Sequence, residues 1–245
     1  MVPQINGSTV LVTGANGGLG VEFVRQALTL GARRVYASAR KPRDWDDARI
    51  VPLRLDVTDE HSIAEAASAA SDTTILINNA AISFRPDNLV NLPMTEIRRV
   101  FETNFFGALA VARAFAPVVA ANGGGAFVNV HSALSWIVGD PKGPADGHQA
   151  YAATKAAFWS ATNSLRLDLI DEGIHVLGLH LGYTATAMTA GIEAEMNDPA
   201  DIVRDAYLGL ARGDYEVVAD ALSATVKQAL SRPLAEMYPR LAAPA

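Results

Sequence analysis

Tyr151 and Lys155 form the pair of side chains in this sequence with the clearest chemical potential. They begin a segment of helical periodicity that runs to about Leu169, and residues four apart share one face of a helix. A phenol titrates near ~10 in water, and a neighbouring ammonium group favours the phenolate and lowers that pKa. Tyr151 could therefore act as a general acid towards a ketone and as a general base towards an alcohol.

A hydroxyl group beside Tyr151 would polarise a carbonyl as negative charge develops on its oxygen. Ser132 is the leading candidate, because it lies just beyond a predicted strand that ends at Val130. Ser135 is a second candidate, since the interval between Ser132 and Tyr151 is long and contains a Gly- and Pro-rich loop at 139–146, which we interpret as an insertion.

A glycine-rich turn, TGANGGLG at 13–20, follows the first predicted strand and leads directly into a helix. Phosphate groups bind where backbone N–H groups point outward at a helix N-terminus and no Cβ interferes. Gly14 would allow the tight turn, Gly18 would let a pyrophosphate approach, and Gly20 would let the helix pack on the strand. No Lys-Ser/Thr pair follows the glycines, which excludes a nucleotide-hydrolysing P-loop. The turn predicts a dinucleotide site that also includes Asn16 and Leu19.

Seven short apolar runs alternate with longer segments of helical periodicity. The predicted strands are 9–13, 34–38, 51–56, 74–78, 126–130, 174–180 and 216–219, and the clearest helices are 21–30, 62–70 and 95–120. This alternation predicts an α/β fold: a doubly wound, seven-stranded parallel sheet of Rossmann type, in three αβα layers. We expect one domain over residues 1–245, with a substrate loop within 182–198 and a helical C-terminal tail from about 221.

Composition limits the classes of function. The chain has 245 residues, a net charge of −6 and no cysteine, and it carries no block of like charge. These features argue against a nucleic-acid partner and exclude disulfides and thiolate chemistry. The N-terminus lacks the pattern of a signal peptide, and no apolar run approaches the roughly 20 residues that span a bilayer. We therefore expect a cytoplasmic protein without a membrane partner. The five histidines show no metal-ligand spacing, so we also expect no metal site.

Taken in order, these motifs resemble the short-chain dehydrogenase/reductase family in its single-domain branch. The resemblance extends from Thr9 to about Ala219. The matching positions are the glycine turn, Asp56-Val57, Asn78-Asn79-Ala80, Asn104, Ser132, Tyr151 with Lys155, and Gly182 with Thr186. The resemblance implies an oxidoreductase that transfers a hydride between NADP(H) and a ketone or secondary alcohol, assembled as a homodimer or homotetramer.

The resemblance also implies a role for each matching residue. Ser132, Tyr151 and Lys155 would be catalytic, and Asn104 would hold a water or the local backbone that links Lys155 to a proton relay. The implied cofactor contacts are Asp56 and Val57 at the adenine, Asn79 and Ala80 at the ribose side, Tyr151 and Lys155 near the nicotinamide ribose, and Gly182, Thr184 and Thr186 after the sixth strand.

The end of the second strand favours NADP(H) over NAD(H). NAD sites usually carry an Asp or Glu there, whereas this chain continues from Ser38 through Ala39 to Arg40. A guanidinium group binds a 2′-phosphate in a forked geometry, and Ser38 could add a hydroxyl contact.

The substrate pocket of such a sheet opens where strands four, five and six end. The residues predicted to line it are Phe84, Ser135, Trp136, His148, Tyr183 and Met188. Two other functions stay open from the sequence: a catalytically idle NADP-binding regulatory or scaffold protein, and a sugar-nucleotide epimerase or dehydratase. Turnover of a ketone with NADPH would exclude the first. The second belongs to a branch with an additional C-terminal domain, whereas only a short tail follows here.

Overall fold

The computed structural model describes residues 3–84, 89–140 and 148–242, so most of the predicted insertion at 139–146 lies outside the described residues. Seven strands are formed: β1 (Thr9–Thr13), β2 (Arg34–Ala39), β3 (Ile50–Arg54), β4 (Ile75–Asn78), β5 (Gly125–Val130), β6 (Ile174–His180) and β7 (Glu216–Val218). All neighbouring strands pair in parallel, in the order β3-β2-β1-β4-β5-β6-β7. The predicted doubly wound parallel sheet is confirmed.

Helices cover both faces of the sheet. They are α1 (Gly18–Thr29), α2 (Glu60–Ala69), α3 (Met94–Phe101), α4 (Ala108–Ala121), α5 (Gln149–Leu169), α6 (Pro199–Arg212), α7 (Ala221–Ala229) and α8 (Leu234–Met237). Successive strand residues point to opposite faces, so Val10 packs with Phe23 of α1 in one core cluster and Leu11 packs with Phe115 of α4 in the other. The three layers therefore enclose two cores, one on each face of the sheet.

Between α3 and α4 lies a π turn, Glu102–Gly107, so that 94–121 is one continuous helix. By length and composition alone this helix could cross a membrane, because one window has a mean hydropathy of 1.5. The sequence analysis predicted this helix over 95–120 but did not identify a window of this hydropathy within it. Val111, Phe115 and Val119 are completely buried in the core beneath the sheet, which accounts for the apolar composition.

The strand order reverses at β1, which has β2 on one side and β4 on the other. Loops that leave such a switch point diverge and leave a crevice at the carboxyl ends of the strands. Here the Thr13 hydroxyl holds the two strand ends together. It accepts from the backbone N–H groups of Asn79 and Ala80, both at 3.0 Å, and donates to the Ile77 carbonyl at 3.3 Å. The crevice therefore has a fixed floor.

Candidate active site

A cavity of about 510 Å³ opens at the carboxyl ends of the central strands. It extends from the glycine turn, past the segments that follow β4, β5 and β6, to α7. The predicted site residues that line it are Gly14, Gly18, Leu19, Asn79, Ala80, Ser132, His148, Tyr151, Lys155, Gly182, Tyr183, Thr184, Thr186 and Met188. The fold thus brings residues from distant parts of the sequence to one cavity.

At one end of this cavity, the glycine turn has a backbone that few other residues could adopt. Gly14 and Gly18 have φ values of +68° and +52°, in the left-handed region. A Cβ on Gly20 would lie 2.2 Å from the Gly14 carbonyl oxygen, so this position requires glycine for close packing of α1 on the turn. A Cβ on Gly17 would meet nothing within 4 Å. The turn therefore joins open space to the N-terminus of a helix, the combination that suits an anion.

Ser132, Tyr151 and Lys155 line the same cavity, away from the glycine turn in the sequence. The Ser132 hydroxyl forms a hydrogen bond with the Tyr151 phenol. The Lys155 ammonium group lies 5.5 Å from the centre of the Tyr151 ring and donates to the Val130 carbonyl at 2.7 Å. Lys155 is 3% exposed, so this carbonyl at the end of β5 compensates part of the cost of burying the charge.

Burial shifts the pKa values of both groups. It lowers the pKa of Lys155 to about 8. Burial also raises the pKa of the Tyr151 phenol, while the hydrogen bond with Ser132 acts in the opposite direction. Loss of hydration therefore dominates the phenol pKa in the polypeptide itself, and the predicted lowering by Lys155 stays a prediction. The phenol stays protonated at neutral pH.

Asn104 occupies the π turn, a feature that often marks functional positions within long helices. Its side chain clamps Ile82 in the segment after β4, accepting from the Ile82 N–H at 2.8 Å and donating to the Ile82 carbonyl at 2.9 Å. The same amide donates to the Thr154 hydroxyl, which in turn donates to the Tyr151 carbonyl. Asn104 therefore fixes local backbone geometry on two sides of the cavity.

Ser132 and Ser135 have different positions. Ser132 caps the short turn Ala133–Ser135, and its hydroxyl accepts from the Leu134 N–H. The Ser135 hydroxyl accepts from the Ser132 N–H at 3.3 Å and is 4% exposed. Ser135 does not line the cavity, contrary to its predicted place in the substrate pocket. It supports the backbone of Ser132 instead.

Behind Ser132 lies a stack of buried rings that the sequence did not predict. The Trp136 ring stacks on His180 at 3.9 Å, and His180 stacks on His131 at 4.8 Å. His180 Nδ1 lies 3.3 Å from the Ser132 carbonyl oxygen, and its Nε2 lies 3.3 Å from a Glu216 carboxylate oxygen. The prediction that Trp136 lines the substrate pocket is wrong, because this stacking holds the indole away from the cavity.

Because of the buried histidines, we expect the free energy of unfolding to fall at acid pH. Burial lowers the pKa of His131 well below its usual value and that of His180 to about 3. Between about pH 6.5 and pH 3 the unfolded chain binds more protons, so the free energy of unfolding falls as the pH falls. Each such histidine contributes a slope of at most about 1.4 kcal/mol per pH unit. Urea unfolding of His180→Gln from pH 7 to pH 5 should show a shallower loss of stability than the wild type.

His61→Gln is the matched control for this measurement, because the His61 side chain is 82% exposed. This control should keep the wild-type pH dependence. A His180→Gln variant with the full wild-type slope would contradict the assignment of His180 as a buried neutral group.

His148 is the one described residue other than glycine with a positive φ, at 57°, and it precedes the first turn of α5. Such strain costs about 1 to 3 kcal/mol and is often found at functional sites. His148 Nδ1 lies 2.8 Å from the Ser83 hydroxyl, and the ring meets Tyr151 edge-on at 6.2 Å. His148 therefore links the segment after β4 to the helix that carries Tyr151.

Other predicted contacts lie away from the cavity. The Ser38 hydroxyl is buried and donates to the Val12 carbonyl at 2.9 Å, so it is not directed at a ligand as predicted. Phe84 lies under the Arg99 guanidinium group at 5.0 Å and does not line the cavity. Asn16 is exposed and donates to the Lys41 carbonyl, which ties the glycine turn to the segment after β2. No metal-binding group of three or more His, Asp or Glu residues occurs within the described residues.

In the region predicted to receive the adenine, the positive charge of Arg40 lies near the negative charge of Asp56. Arg40 is exposed directly after β2, and Val57 is buried. Partial burial alone would raise the pKa of the Asp56 carboxyl. Donors on Thr58 and the positive charges of Arg40 and Arg54 outweigh it and lower that pKa. Asp56 is therefore ionised and close enough to Arg40 to interact with it.

Comparison with known proteins decides the family. A sequence profile described as short chain dehydrogenase matches residues 8–197. The chain belongs to the short-chain dehydrogenase family. As a short-chain dehydrogenase it is an oxidoreductase.

Relatives within this family match over most of their length. NADP-dependent 3-hydroxy acid dehydrogenase of Schizosaccharomyces pombe is 28% identical over 89% of this chain and 93% of its own. Galactitol 2-dehydrogenase (L-tagatose-forming) of Cereibacter sphaeroides is 32% identical, over 76% of this chain and 75% of its own. A crystal structure of a short chain dehydrogenase from Burkholderia cenocepacia in complex with NADP is 32% identical, with a TM-score of 0.87 over 98% of this chain and 100% of its own.

Some residues around the cavity had no predicted role. The Thr13 hydroxyl accepts from the Ala80 N–H at the crevice. The Thr154 hydroxyl donates to the Tyr151 carbonyl in α5. Leu222 and Val226 line the cavity from α7, behind an N-cap residue, Asp220. The spacing of two apolar residues four apart after an N-cap was a visible signal for a helix with one apolar face.

Proposed function

We propose that this short-chain dehydrogenase uses NADP(H) and interconverts a ketone and a secondary alcohol. The observation that carries the proposal is the grouping of Ser132, Tyr151 and Lys155 in the same cavity as the glycine turn. Hydride transfer needs a cofactor and a proton donor at one site, and the two ends of this cavity supply a binding turn and a buried phenol.

The residues present fit a dinucleotide. The open space at Gly17 leaves room for a phosphate at the N-terminus of α1, whereas a Cβ on Gly18 would meet Thr186 at 3.1 Å. Gly182, Thr184 and Thr186 border the same cavity after β6. When bound, the nicotinamide supplies or accepts the hydride. Arg40, beside Asp56, would hold the 2′-phosphate that distinguishes NADP(H) from NAD(H).

The polypeptide would contribute proton transfer and orientation. Tyr151, protonated at neutral pH, would donate its phenolic proton to the carbonyl oxygen during reduction. Ser132 would hydrogen-bond the same oxygen as negative charge develops on it. Lys155 would hold the cofactor ribose while the Val130 carbonyl fixes its ammonium group.

The direct test is oxidation of NADPH by the purified protein, followed in a panel of aliphatic, aryl and polyol-derived ketones. NADPH should be oxidised with at least one ketone, and the product should be a secondary alcohol. Tight NADPH binding with no turnover of any ketone or alcohol would favour the alternative, a catalytically idle regulatory or scaffold protein.

The two serines give a sharper prediction. Ser132→Ala should lower kcat roughly 100-fold, because it removes one hydrogen-bond donor to the developing oxyanion. Ser135→Ala should lower kcat much less, because the Ser135 hydroxyl meets only the Ser132 backbone. Steady-state kinetics at saturating NADPH separate the two effects. A larger loss from Ser135→Ala would exchange the roles of the two serines.

The remaining expectations stay predictions. They are a single domain over 1–245, a substrate loop within 182–198, a cytoplasmic location, and assembly as a homodimer or homotetramer. A small-molecule ketone or alcohol is the expected partner, with neither nucleic acid nor membrane.

A further inference from the structure

The C-terminal segment after β7 forms one wall of the cavity. Leu222 and Val226 lie on one face of α7 and border the cavity, and Leu222 is 50% exposed. A Cβ on Gly182 would approach the Leu222 side chain to 3.2 Å, so α7 lies directly against the segment that follows β6. The wall is therefore adjacent to the part of the cavity assigned to the cofactor and the reacting carbon.

Specific contacts hold this wall in place. The Asp220 carboxylate accepts from the Gly182 N–H at 2.6 Å and from the Ser223 N–H at 2.8 Å, so it caps α7 and binds the β6 segment at once. Further along, Arg240 forms an ion pair with Asp140 at 2.7 Å. The C-terminal segment thus connects the segments that follow β5 and β6. We call the part of the cavity between these three segments the substrate end.

Apolar side chains from α7 and from the segments after β5 and β6 line this part of the cavity. They are Leu134, Ile137, Val138, Met188, Leu222 and Val226. Val138 and Met188, like Leu222, are partly exposed where they border the cavity, at 41% and 37%. A group of exposed apolar side chains around a concave site typically marks a surface that an apolar ligand covers.

Charge at this end is scarce. Among the described residues that line the cavity, Lys155 is the one Lys, Arg, Asp or Glu, and its ammonium group is bonded to the Val130 carbonyl and, in the proposed function, also holds the cofactor ribose. Among the described lining residues, a carboxylate or phosphate on the substrate would lose its hydration without gaining a cationic partner other than the engaged Lys155. A chain of methylene groups would gain contact with the wall of α7.

We propose that the substrate is an uncharged ketone or secondary alcohol with an extended apolar body, and that Leu222 and Val226 set this preference. The inference rests on the proposed function, and it separates this chain from relatives whose names specify a hydroxy acid or a polyol.

A matched pair of ketones tests the inference: 2-nonanone, and 8-oxononanoate, in which a carboxylate replaces the terminal methyl group. The kcat/KM with NADPH should be much higher for 2-nonanone. From 2-butanone to 2-nonanone it should rise, by roughly fourfold at most for each methylene that the cavity buries. Equal kcat/KM values for 2-nonanone and 8-oxononanoate, or no rise with chain length, would overturn the inference while the proposed function stands.

Variants of the wall provide the second arm. Leu222→Ala and Val226→Ala should each lower kcat/KM for 2-nonanone roughly 5- to 10-fold and change that for 2-butanone little. Leu222→Lys should raise the activity with 8-oxononanoate relative to 2-nonanone. Leu230→Ala, at the end of the same helix and outside the cavity, should leave both activities unchanged. Equal losses for the short and the long ketone would overturn the role of α7.

Calorimetric binding of 2-nonanone to the protein with NADP present distinguishes the two proposals. Binding that Leu222→Ala weakens, without turnover of any ketone, would support the apolar pocket and overturn the proposed function. Absence of both binding and turnover would overturn both.

Discussion

Replacement of Tyr151 by Phe is expected to lower kcat by about 100- to 10,000-fold, the range that general acid–base catalysis supplies. The substitution removes the phenolic proton and keeps the ring, which meets His148 edge-on and lies beside Lys155. The shape of the cavity should therefore persist, and the Kd for NADPH should stay close to that of the wild type. Steady-state kinetics and calorimetric titration with NADPH measure the two quantities separately.

Tyr215→Phe is the matched control, because Tyr215 is 53% exposed, contacts His175 and lies outside the cavity. It should retain wild-type kcat. A Tyr151→Phe variant within a few-fold of wild type would assign the proton donor to another group. Parallel loss of NADPH binding would instead show that the phenol serves cofactor binding.

The pKa of Tyr151 also sets the expected pH dependence of the two directions of the reaction. Burial raises it, so the phenol carries its proton at neutral pH and is ready to donate to a carbonyl oxygen. Oxidation of an alcohol requires the phenolate, so the rate of oxidation should increase with pH. Reduction requires the protonated phenol, so the rate of reduction should not increase with pH. The phenol is therefore in the form that the reduction step needs near neutrality.

The strands and their approximate ends could be predicted from the sequence because both depend on local patterns. Continuous apolar runs bounded by polar residues locate buried parallel strands, and the turn 13–20 identifies the first crossover. Once those strands are parallel, their carboxyl ends share one edge. Ser132 and Tyr151 are then brought to the same cavity as Gly14, as the ordered motifs indicated.

Side-chain direction was harder to predict where both faces of the sheet are buried. Ser38 lies on a strand whose neighbours, Ala37 and Ala39, are small and give no alternation to indicate which face it occupies. The structure directs its hydroxyl to Val12. Trp136 was expected in the pocket because it follows β5, but stacking on a buried histidine 44 positions along the chain depends on tertiary contact. Local sequence carries no signal for such a partner.

The π turn at Asn104 and the wall formed by α7 were not predictable for the same reason. A π turn inserts one residue into a helix, and the residue types at 102–107 gave no signal for it. The position of α7 depends on Asp220 reaching the Gly182 N–H, a contact between two segments that are far apart in the sequence.

Cofactor preference provides the second large expected effect, and it depends on Arg40. This residue is exposed directly after β2, and its charge acts on the nearby Asp56. The Asn16 amide, bonded to the Lys41 carbonyl, holds the glycine turn beside this segment. Since Ser38 is turned inward, the guanidinium group is the principal candidate for binding the 2′-phosphate of NADP(H).

Arg40→Asp should lower kcat/KM for NADPH roughly 10- to 100-fold, because a charge-assisted contact is lost and a carboxylate repels the phosphate. The kcat/KM for NADH should rise, since a carboxylate at the end of this strand can accept from the ribose 2′-OH. Arg43→Asp is the matched control: it makes the same charge change three residues on, at a guanidinium group that stacks on Trp45 at 3.9 Å. It should keep the wild-type preference. An Arg40→Asp variant with unchanged selectivity, or an equal shift in Arg43→Asp, would show that general electrostatics, not a contact made by Arg40, selects the cofactor.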